Sequence, residues 1–206
     1  MPAVPLSLAA SSERGAPPLS RLAVPPLTGL PDDIRQLVDA NGGDNWIRAL
    51  AQNPDTARRF VGYFASLFGP GQQHLPLAER ELIAVVVSSA NGCGLCALHH
   101  THALGDALGD HPKAKRIAAD LHFAALSDRE AALAELAGKI TRSPREVGAA
   151  DFDRLRALGL TEAAILEAVE TASWFNHTNR IFISTGVQAD ARYFDGATPG
   201  SGRAAQ

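Results

Sequence analysis

From Pro31 onward, apolar side chains recur along the chain at intervals of three and four residues. Side chains at these intervals return to the same face of an α-helix. No stretch of this sequence alternates apolar and polar residues for more than a few positions, as a half-buried strand would. The pattern therefore predicts an all-α fold.

Prolines, glycines and acids divide this pattern into separate helices. Pro31 followed by two acids suits a helix N-terminus, and Asn41-Gly42-Gly43 suits the end of that helix. A second helix is predicted from Asp55 to Phe68, with four large side chains on one face that we expect to pack in the core: Phe60, Tyr63, Phe64 and Leu67. Later helices are predicted at about 111–125, 127–142, 148–158 and 161–185, with Ser127, Ser143 and Thr161 as candidate N-caps.

The segment from Pro76 to Leu104 contains a break at Asn91-Gly92. A glycine in a helix costs about 1 kcal/mol relative to alanine, so the segment is expected to divide or kink there. This division would place Cys93 at the N-terminus of a new helix.

The 206 residues suffice for one domain with flexible ends. Six prolines interrupt the first thirty residues and break the apolar core that a signal peptide needs, so we expect a cytoplasmic protein. The predicted organisation is a Pro-rich arm over 1–29, a helical domain over 30–195 and a disordered tail over 196–206.

Charge and apolar runs exclude two classes of partner. The formal net charge is -3, so no basic surplus is present to attract nucleic acid or anionic lipid. The longest apolar run, 82–87, is far shorter than the roughly 18 residues of a membrane span. We therefore expect neither a nucleic-acid nor a membrane partner.

The only two cysteines, Cys93 and Cys96, lie three residues apart. They cannot cross-link distant parts of a fold, so their spacing indicates chemistry. On a helix that turns about 100° per residue, both cysteines and His100 fall within an arc of roughly 60°. Such a pair could form and reopen a disulfide with little movement.

A thiolate, not a thiol, is the nucleophile, and a free cysteine is only a few per cent ionised at neutral pH. A helix N-terminus contributes about 0.3 to 1 kcal/mol, which is less than the 1.36 kcal/mol of one pKa unit. We therefore expect His100 to supply the remaining activation, with a carboxylate that orients it. Glu79 and Glu81 both precede the motif, and these arguments do not choose between them.

The run E-L-I-A-V-V-V-S-S-A-N-G-C-G-L-C-A-L-H-H resembles the signature of the AhpD-like alkylhydroperoxidase and carboxymuconolactone decarboxylase superfamily. That signature is Glu, eleven residues, Cys-x-x-Cys, three residues and His, and Glu81, Cys93, Cys96 and His100 match it. The stretch SWFNHTNRIFISTGV is similar to the F-N-x-x-N-R ending of the peroxidase-related branch, so the resemblance covers about residues 30–195. One position departs, because Leu95 stands where the best-studied members carry a second histidine.

The resemblance implies an AhpD-like helical fold that assembles into trimers or hexamers and reduces hydroperoxides. It implies that Cys96 attacks the peroxide, that Cys93 resolves the sulfenic acid to a disulfide, and that His100 and Glu81 form a proton relay. No bound cofactor and no metal are expected, and an external dithiol or lipoyl-type reductant would restore the thiols.

Other interpretations remain open. The cysteine pair could be a non-catalytic redox switch, the fold could support a lyase or decarboxylase, or Cys93, Cys96, His100 and Glu81 could bind zinc. Glu81 could instead pair with Arg80 or Arg180. We interpret His99 and His102 as surface or interface groups, and the aromatic and amide side chains of the last helix as packing: Trp174, Phe175, Asn176, Asn179 and Phe182.

Overall fold

The computed structural model describes residues 18–71 and 73–194, which form helices joined by short turns and contain no β-strand. The all-α prediction is confirmed. No helix in these two ranges has both the length and the apolar character that a membrane crossing requires. The helices are α1 (Asp32–Ala40), α2 (Asn45–Leu50), α3 (Pro54–Phe68), α4 (Leu77–Asn91), α5 (Gly94–Leu108), α6 (His111–Ala119), α7 (Asp128–Arg142), α8 (Ala149–Ala157) and α9 (Glu162–Thr185).

Helix α4 lies at the centre of the fold. Every residue from Arg80 to Ser88 is buried, which is the behaviour of a helix that is apolar on all its faces. Helices α5, α6, α7 and α9 all contact α4, and α9 is the longest helix at 24 residues. A side chain at either end of α4 is therefore enclosed by several neighbouring helices.

Local side-chain chemistry accounts for several helix starts. Ser127 and Thr161 accept hydrogen bonds from the backbone N–H groups of Glu130 and Ala164, so both predicted N-caps are confirmed. The predicted cap at Ser143 is wrong, because this serine precedes a short 3-10 turn and makes no side-chain cap bond. Helix α8 begins instead at Ala149, after Gly148.

Two helix predictions need correction. The helix expected over 111–125 ends at Ala119, because Asp120 turns to extended backbone angles and its carboxylate caps a short 3-10 turn at Leu121–Phe123. Helix α2 was not predicted. It has only six residues, too few for a periodic pattern to be visible in the sequence.

The predicted core face of α3 is correct for only part of its length. Phe60 and Leu67 are buried and Phe64 is half-buried, but Tyr63 is 40% exposed. Tyr63 lies against the Trp174 ring and donates a hydrogen bond from its hydroxyl to Glu170 at 2.8 Å. A phenol can keep its ring on the protein and its hydroxyl at the surface, so a tyrosine does not require full burial.

The described part of the N-terminal segment, from Pro18, runs beside the end of α9. The Arg21 backbone N–H donates to the Thr185 carbonyl at 2.7 Å, and the Gln188 N–H donates to the Leu19 carbonyl at 2.9 Å. The remainder of the predicted arm, 1–17, and the predicted tail, 196–206, lie outside the described residues.

Candidate active site

The junction between α4 and α5 places the two cysteines. Gly92 ends α4 with a φ of 70°, a left-handed conformation that glycine adopts without strain. The Cys93 N–H then donates to the Ser88 carbonyl at 2.9 Å and closes the turn. Cys93 occupies the N-cap of α5 and Cys96 lies in its first turn, so the predicted break and the helix N-terminus at Cys93 are confirmed.

Both cysteines are free thiols and both are buried, with 2% of Cys93 and 4% of Cys96 exposed. The Cys93 pKa falls from 9.0 to about 7, chiefly because the Cys96 thiol donates a hydrogen bond to the Cys93 sulfur. The Cys96 pKa rises, because its proton is held in that same bond and because burial disfavours a second charge. The pair therefore loses its first proton near pH 7, and the resulting charge favours Cys93.

The partner thiol contributes more to this ionisation than the sequence argument expected. Moving a thiol pKa from 9.0 to about 7 takes roughly 3 kcal/mol, more than a helix N-terminus supplies. After the Cys96 thiol, the groups that lower the Cys93 pKa are the Cys96 backbone N–H, the Asn179 amide and, least of all, the charge of His100. We expected His100 to supply the activation that a helix N-terminus cannot; its charge lowers the Cys93 pKa, but by less than these other groups do.

Glu81 and His100 form a direct pair between α4 and α5. The His100 Nδ1 donates a hydrogen bond to Glu81 Oε2 at 2.7 Å, and the two side chains are only 15% and 6% exposed. A carboxylate on Nδ1 fixes the orientation of the ring and leaves Nε2 available for proton transfer. One helical turn separates His100 from Cys96, so both project from the same side of α5.

The other acid and the two arginines have different partners. Glu79 accepts two hydrogen bonds from the Arg129 guanidinium, at 2.6 and 2.9 Å, on the α7 side of α4. Arg80 donates to the Leu67 carbonyl and lies 3.6 Å from Glu167, and Arg180 donates to Asn176. The structure therefore selects Glu81 over Glu79 as the partner of His100, and within the described chain neither Arg80 nor Arg180 forms an ion pair with Glu81.

Three phenyl rings surround the His100 imidazole. The ring centroid of Phe175 lies 4.5 Å from that of His100 in an edge-to-face arrangement, and those of Phe68 and Phe64 lie at 6.1 and 6.3 Å. Phe64 and Phe68 also stack on each other at 4.9 Å. These rings, which we call the phenyl wall, make the surroundings of the Glu81–His100 pair apolar. In the sequence, nothing distinguishes these three phenylalanines from residues that only pack helices together.

Asn179 on α9 is a second residue whose role the sequence argument missed. It is fully buried, and its amide hydrogen-bonds to both thiols, which favours the anionic form of each. The same amide donates to Ser88 Oγ at 3.1 Å and accepts from Asn91 at 3.0 Å. Its bonds to Ser88 and Asn91, both on α4, link α9 to the α4–α5 junction.

The neighbouring histidines do not belong to the thiol site. His99 is 14% exposed, stacks on Tyr193 at 4.0 Å and lies 3.7 Å from Asp190, so it is not a surface group. His102 is 20% exposed and points toward Asp106. Among the described residues, no three ligand atoms from Cys93, Cys96, His100 and Glu81 gather in the way that a metal ion requires, although two other groups do.

Comparison with known families and curated proteins gives one match. Residues 54–139, which include the thiol junction and Glu81, match the carboxymuconolactone decarboxylase family. Among curated proteins, none matches the sequence.

Solved structures match almost the whole described chain. An AhpD-core, uncharacterised peroxidase-related protein from Ralstonia eutropha JMP134 is 31% identical with a TM-score of 0.80, over 87% of this chain and 96% of that one. A peroxidase-related protein from Silicibacter sp. TM1040 is 29% identical with a TM-score of 0.78, over 86% and 95%. The debrominase Bmp8 with 2,3,4-tribromopyrrole shares the fold at 24% identity and a TM-score of 0.66, over 79% and 87%.

Proposed function

Because the chain belongs to the AhpD-like and carboxymuconolactone decarboxylase superfamily, we propose that it is a thiol-dependent hydroperoxide reductase. One observation carries this proposal. Two free thiols, of which Cys93 has a pKa of about 7, lie beside a carboxylate–imidazole pair at a single helix junction. A redox thiol needs an anionic sulfur and a route for its proton, and these groups could supply both.

The reaction balances with the two thiols as the reductant. A thiolate attacks the terminal oxygen of the hydroperoxide, the O–O bond breaks, and the departing alkoxide takes a proton to become an alcohol. The sulfenic acid formed on that sulfur is attacked by the second sulfur, which forms the disulfide and releases water. In this scheme His100 Nε2 accepts the proton of the attacking thiol and passes it to the alkoxide, while Glu81 holds the imidazole on its Nδ1 side.

Two observations bear on which sulfur attacks. The resemblance assigns the attack to Cys96 and the resolving role to Cys93, whereas the resting charge favours Cys93. A proton in a hydrogen bond between two sulfurs can pass from one to the other, so the resting charge alone does not select the attacking atom. Cys96 lies one helical turn from His100, and we therefore propose Cys96 as the attacking sulfur.

The phenyl wall supports an organic hydroperoxide as the substrate. Phe64, Phe68 and Phe175 surround the imidazole that would protonate the leaving alkoxide, so an alkyl or aryl group there would contact apolar surface. Hydrogen peroxide would make no such contact. We expect this preference to be visible as a higher kcat/KM for an aryl hydroperoxide than for hydrogen peroxide.

The cycle needs an external reductant, since the chain contains no other cysteine. A small dithiol or a lipoyl group can exchange with the disulfide and release both sulfurs as thiols. Action in the cytoplasm and assembly into a trimer or hexamer are parts of the same proposal, and both come from the sequence and its resemblance.

The alternatives differ in what the thiols must do. A redox switch would form the disulfide without repeated turnover, and a lyase or decarboxylase would need no disulfide. The fold alone does not decide, since a debrominase shares it. A zinc site on the same four residues is disfavoured because His100 Nδ1 is already bonded to Glu81 and the four ligand positions do not converge.

The proposal is tested by counting thiols. The reduced protein is mixed anaerobically with one equivalent of cumene hydroperoxide, and free thiols are titrated against time. We expect rapid loss of two thiols per chain, an intramolecular disulfide by mass spectrometry and release of cumyl alcohol. Two unreacted thiols would contradict the proposal.

The same reaction with single-cysteine variants identifies the attacking sulfur. In Cys93→Ser, a dimedone-trapped sulfenic acid on Cys96 is the expected product. The matched variant Cys96→Ser should keep its remaining thiol largely unmodified. Trapping on Cys93 alone would reverse the two roles without affecting the reductase proposal.

A further inference from the structure

The second half of α5 brings three further ligand-type side chains together, away from the thiols. His102 and Asp106 lie one helical turn apart, and the left-handed Gly109 ends α5 so that His111, the first residue of α6, folds back beside them. The His111 Nε2 lies 3.2 Å from Asp106 Oδ1, and the His102 Nε2 lies 4.0 Å from Asp106 Oδ2. One ligand atom from each of the three lies within 4.8 Å of the other two.

We propose that His102, Asp106 and His111 form a binding site for a divalent transition metal ion of the zinc class. Two imidazoles and one carboxylate are a ligand set that zinc accepts with bonds of about 2.0 to 2.2 Å. In a tetrahedral arrangement with such bonds, neighbouring ligand atoms lie roughly 3.3 to 3.6 Å apart. The distances of 3.2 and 4.0 Å lie on either side of that range, so small side-chain rotations complete the site.

The backbone holds His111 in place. A Cβ atom built on Gly105 would lie 2.2 Å from the His111 Nδ1, so the ring occupies the space that a side chain at residue 105 would need. Glycine inside a helix costs about 1 kcal/mol relative to alanine, and here that cost allows the imidazole to lie against α5. With Nδ1 against the helix, Nε2 points toward Asp106 and is the nitrogen available to a metal ion.

Access and charge also fit a metal ion. His102, His111 and Asp106 are 20%, 35% and 57% exposed, so an ion can enter and keep a water molecule as its fourth ligand. One carboxylate with two neutral imidazoles gives a negative site. The nearby Lys113 ammonium pairs with Glu130 at 2.7 Å, so it does not neutralise the negative charge of Asp106.

The other convergent group, Asp44, His99 and Asp190, fits a metal ion less well. The Arg192 guanidinium already bonds to Asp44, and the Asn45 N–H donates to Asp190 at 3.1 Å. A bound cation at that place would oppose the arginine charge. Among the described residues, no lysine or arginine forms an ion pair with Asp106.

The test uses the full chain with Cys93 and Cys96 both changed to Ser, so that neither thiol can bind metal. Zn²⁺ is titrated by calorimetry, and Co²⁺ is added to record its visible spectrum. We expect one ion per chain, nitrogen–oxygen d–d bands and no thiolate-to-cobalt charge-transfer band. Wild-type protein in reduced form should give the same cobalt spectrum.

Variants decide which residues bind. His111→Ala and Asp106→Asn should each lower the Zn²⁺ affinity at least about tenfold. His122→Ala is the matched control, since that imidazole is 92% exposed and lies beside Asp120 as His111 lies beside Asp106. Circular dichroism confirms the fold of each variant. Unchanged Zn²⁺ affinity in Asp106→Asn and His111→Ala, or no Zn²⁺ bound by the double-serine protein, would overturn the proposal.

Discussion

Helix α5 carries histidines in different surroundings on two of its sides. On one side, His100 is 15% exposed, surrounded by the phenyl wall and bonded through Nδ1 to the buried Glu81. On another side, His102 and His111 of α6 are 20% and 35% exposed, stack with ring centroids 5.2 Å apart, and share the exposed Asp106. The same side-chain types therefore form an enclosed pair on one side of α5 and a more open cluster on the other.

This contrast shows that burial determines what a histidine–carboxylate pair can do. In the enclosed pair the imidazole has one orientation and one free nitrogen, which suits proton transfer to a bound substrate. In the open cluster several ligand atoms face a shared, water-accessible point, which suits metal binding. Changes on one side of α5 should therefore leave the function of the other side intact, and this independence can be tested.

The largest effect should come from removing a redox sulfur. Cys96→Ser should lower the rate of cumene hydroperoxide reduction at least about a thousandfold, because it removes the sulfur proposed to attack the peroxide. His102→Ala in the open cluster should keep the wild-type rate. Both rates are followed as dithiothreitol-dependent loss of hydroperoxide. A matching loss of activity in His102→Ala would contradict the proposed independence of the two sites.

The proton relay should give the next largest effect. Glu81→Gln preserves the shape of the side chain but removes the carboxylate that orients His100, and we expect kcat/KM to fall about a hundredfold. Glu79→Gln is the matched control, because Glu79 pairs with Arg129 and not with the histidine. Steady-state kinetics compare the two variants. Equal losses of kcat/KM in both variants would show that the contact between Glu81 and His100 has no particular role in catalysis.

The phenyl wall should affect one class of substrate only. Phe64→Ala should reduce kcat/KM for cumene hydroperoxide about tenfold, because the aryl group would lose apolar contact with one ring of the wall. The kcat/KM for hydrogen peroxide should change little. Phe123, which is 79% exposed, provides Phe123→Ala as the control. The measured quantity is the ratio of kcat/KM for the two peroxides. An unchanged ratio in Phe64→Ala would contradict an apolar substrate site at this wall.

The smallest effect concerns Asn179. In wild type, alkylation of Cys93 by iodoacetamide should be half-maximal near pH 7 and fall tenfold per pH unit below that, because the thiolate reacts and its pKa is about 7. Asn179→Ala removes a donor that favours the anion, so the pKa should rise and alkylation at pH 7 should slow about fivefold.

The control for this pH profile is Asn176→Ala. The Asn176 amide donates to Thr141 and Ala172 and is not among the groups that shift either thiol pKa. Its alkylation midpoint should stay near pH 7. If the midpoint in Asn179→Ala is the same as in wild type, the amide contributes to the fold but does not stabilise the Cys93 thiolate.

Much of this organisation could be predicted from local sequence. The break at Asn91-Gly92 and the position of Cys93 at a helix N-terminus follow from the conformational freedom of glycine, and the structure confirms both. The Ser127 and Thr161 caps follow from side-chain chemistry three residues from their partners. These features depend on residues that are close together in the chain, so they can be predicted from the local sequence.

Features that depend on packing between distant helices could not be predicted in this way. Glu79 and Glu81 are two residues apart, and only the positions of α5 and α7 around α4 decide that one contacts His100 and the other Arg129. Asn179 reaches the thiols from more than 80 residues away. The hydrogen bond between the two cysteine side chains, which lowers the Cys93 pKa most, depends on side-chain rotation. Residue spacing does not specify that rotation.

The most direct test of the central claim is repeated turnover. Reduced protein is supplied with excess cumene hydroperoxide and dithiothreitol, and cumyl alcohol is counted per chain beside a protein-free control. The thiol reductase account predicts many equivalents of alcohol per chain, continuing until the dithiol is consumed and leaving the protein as a Cys93–Cys96 disulfide. One equivalent per chain, or none above the control, would contradict it.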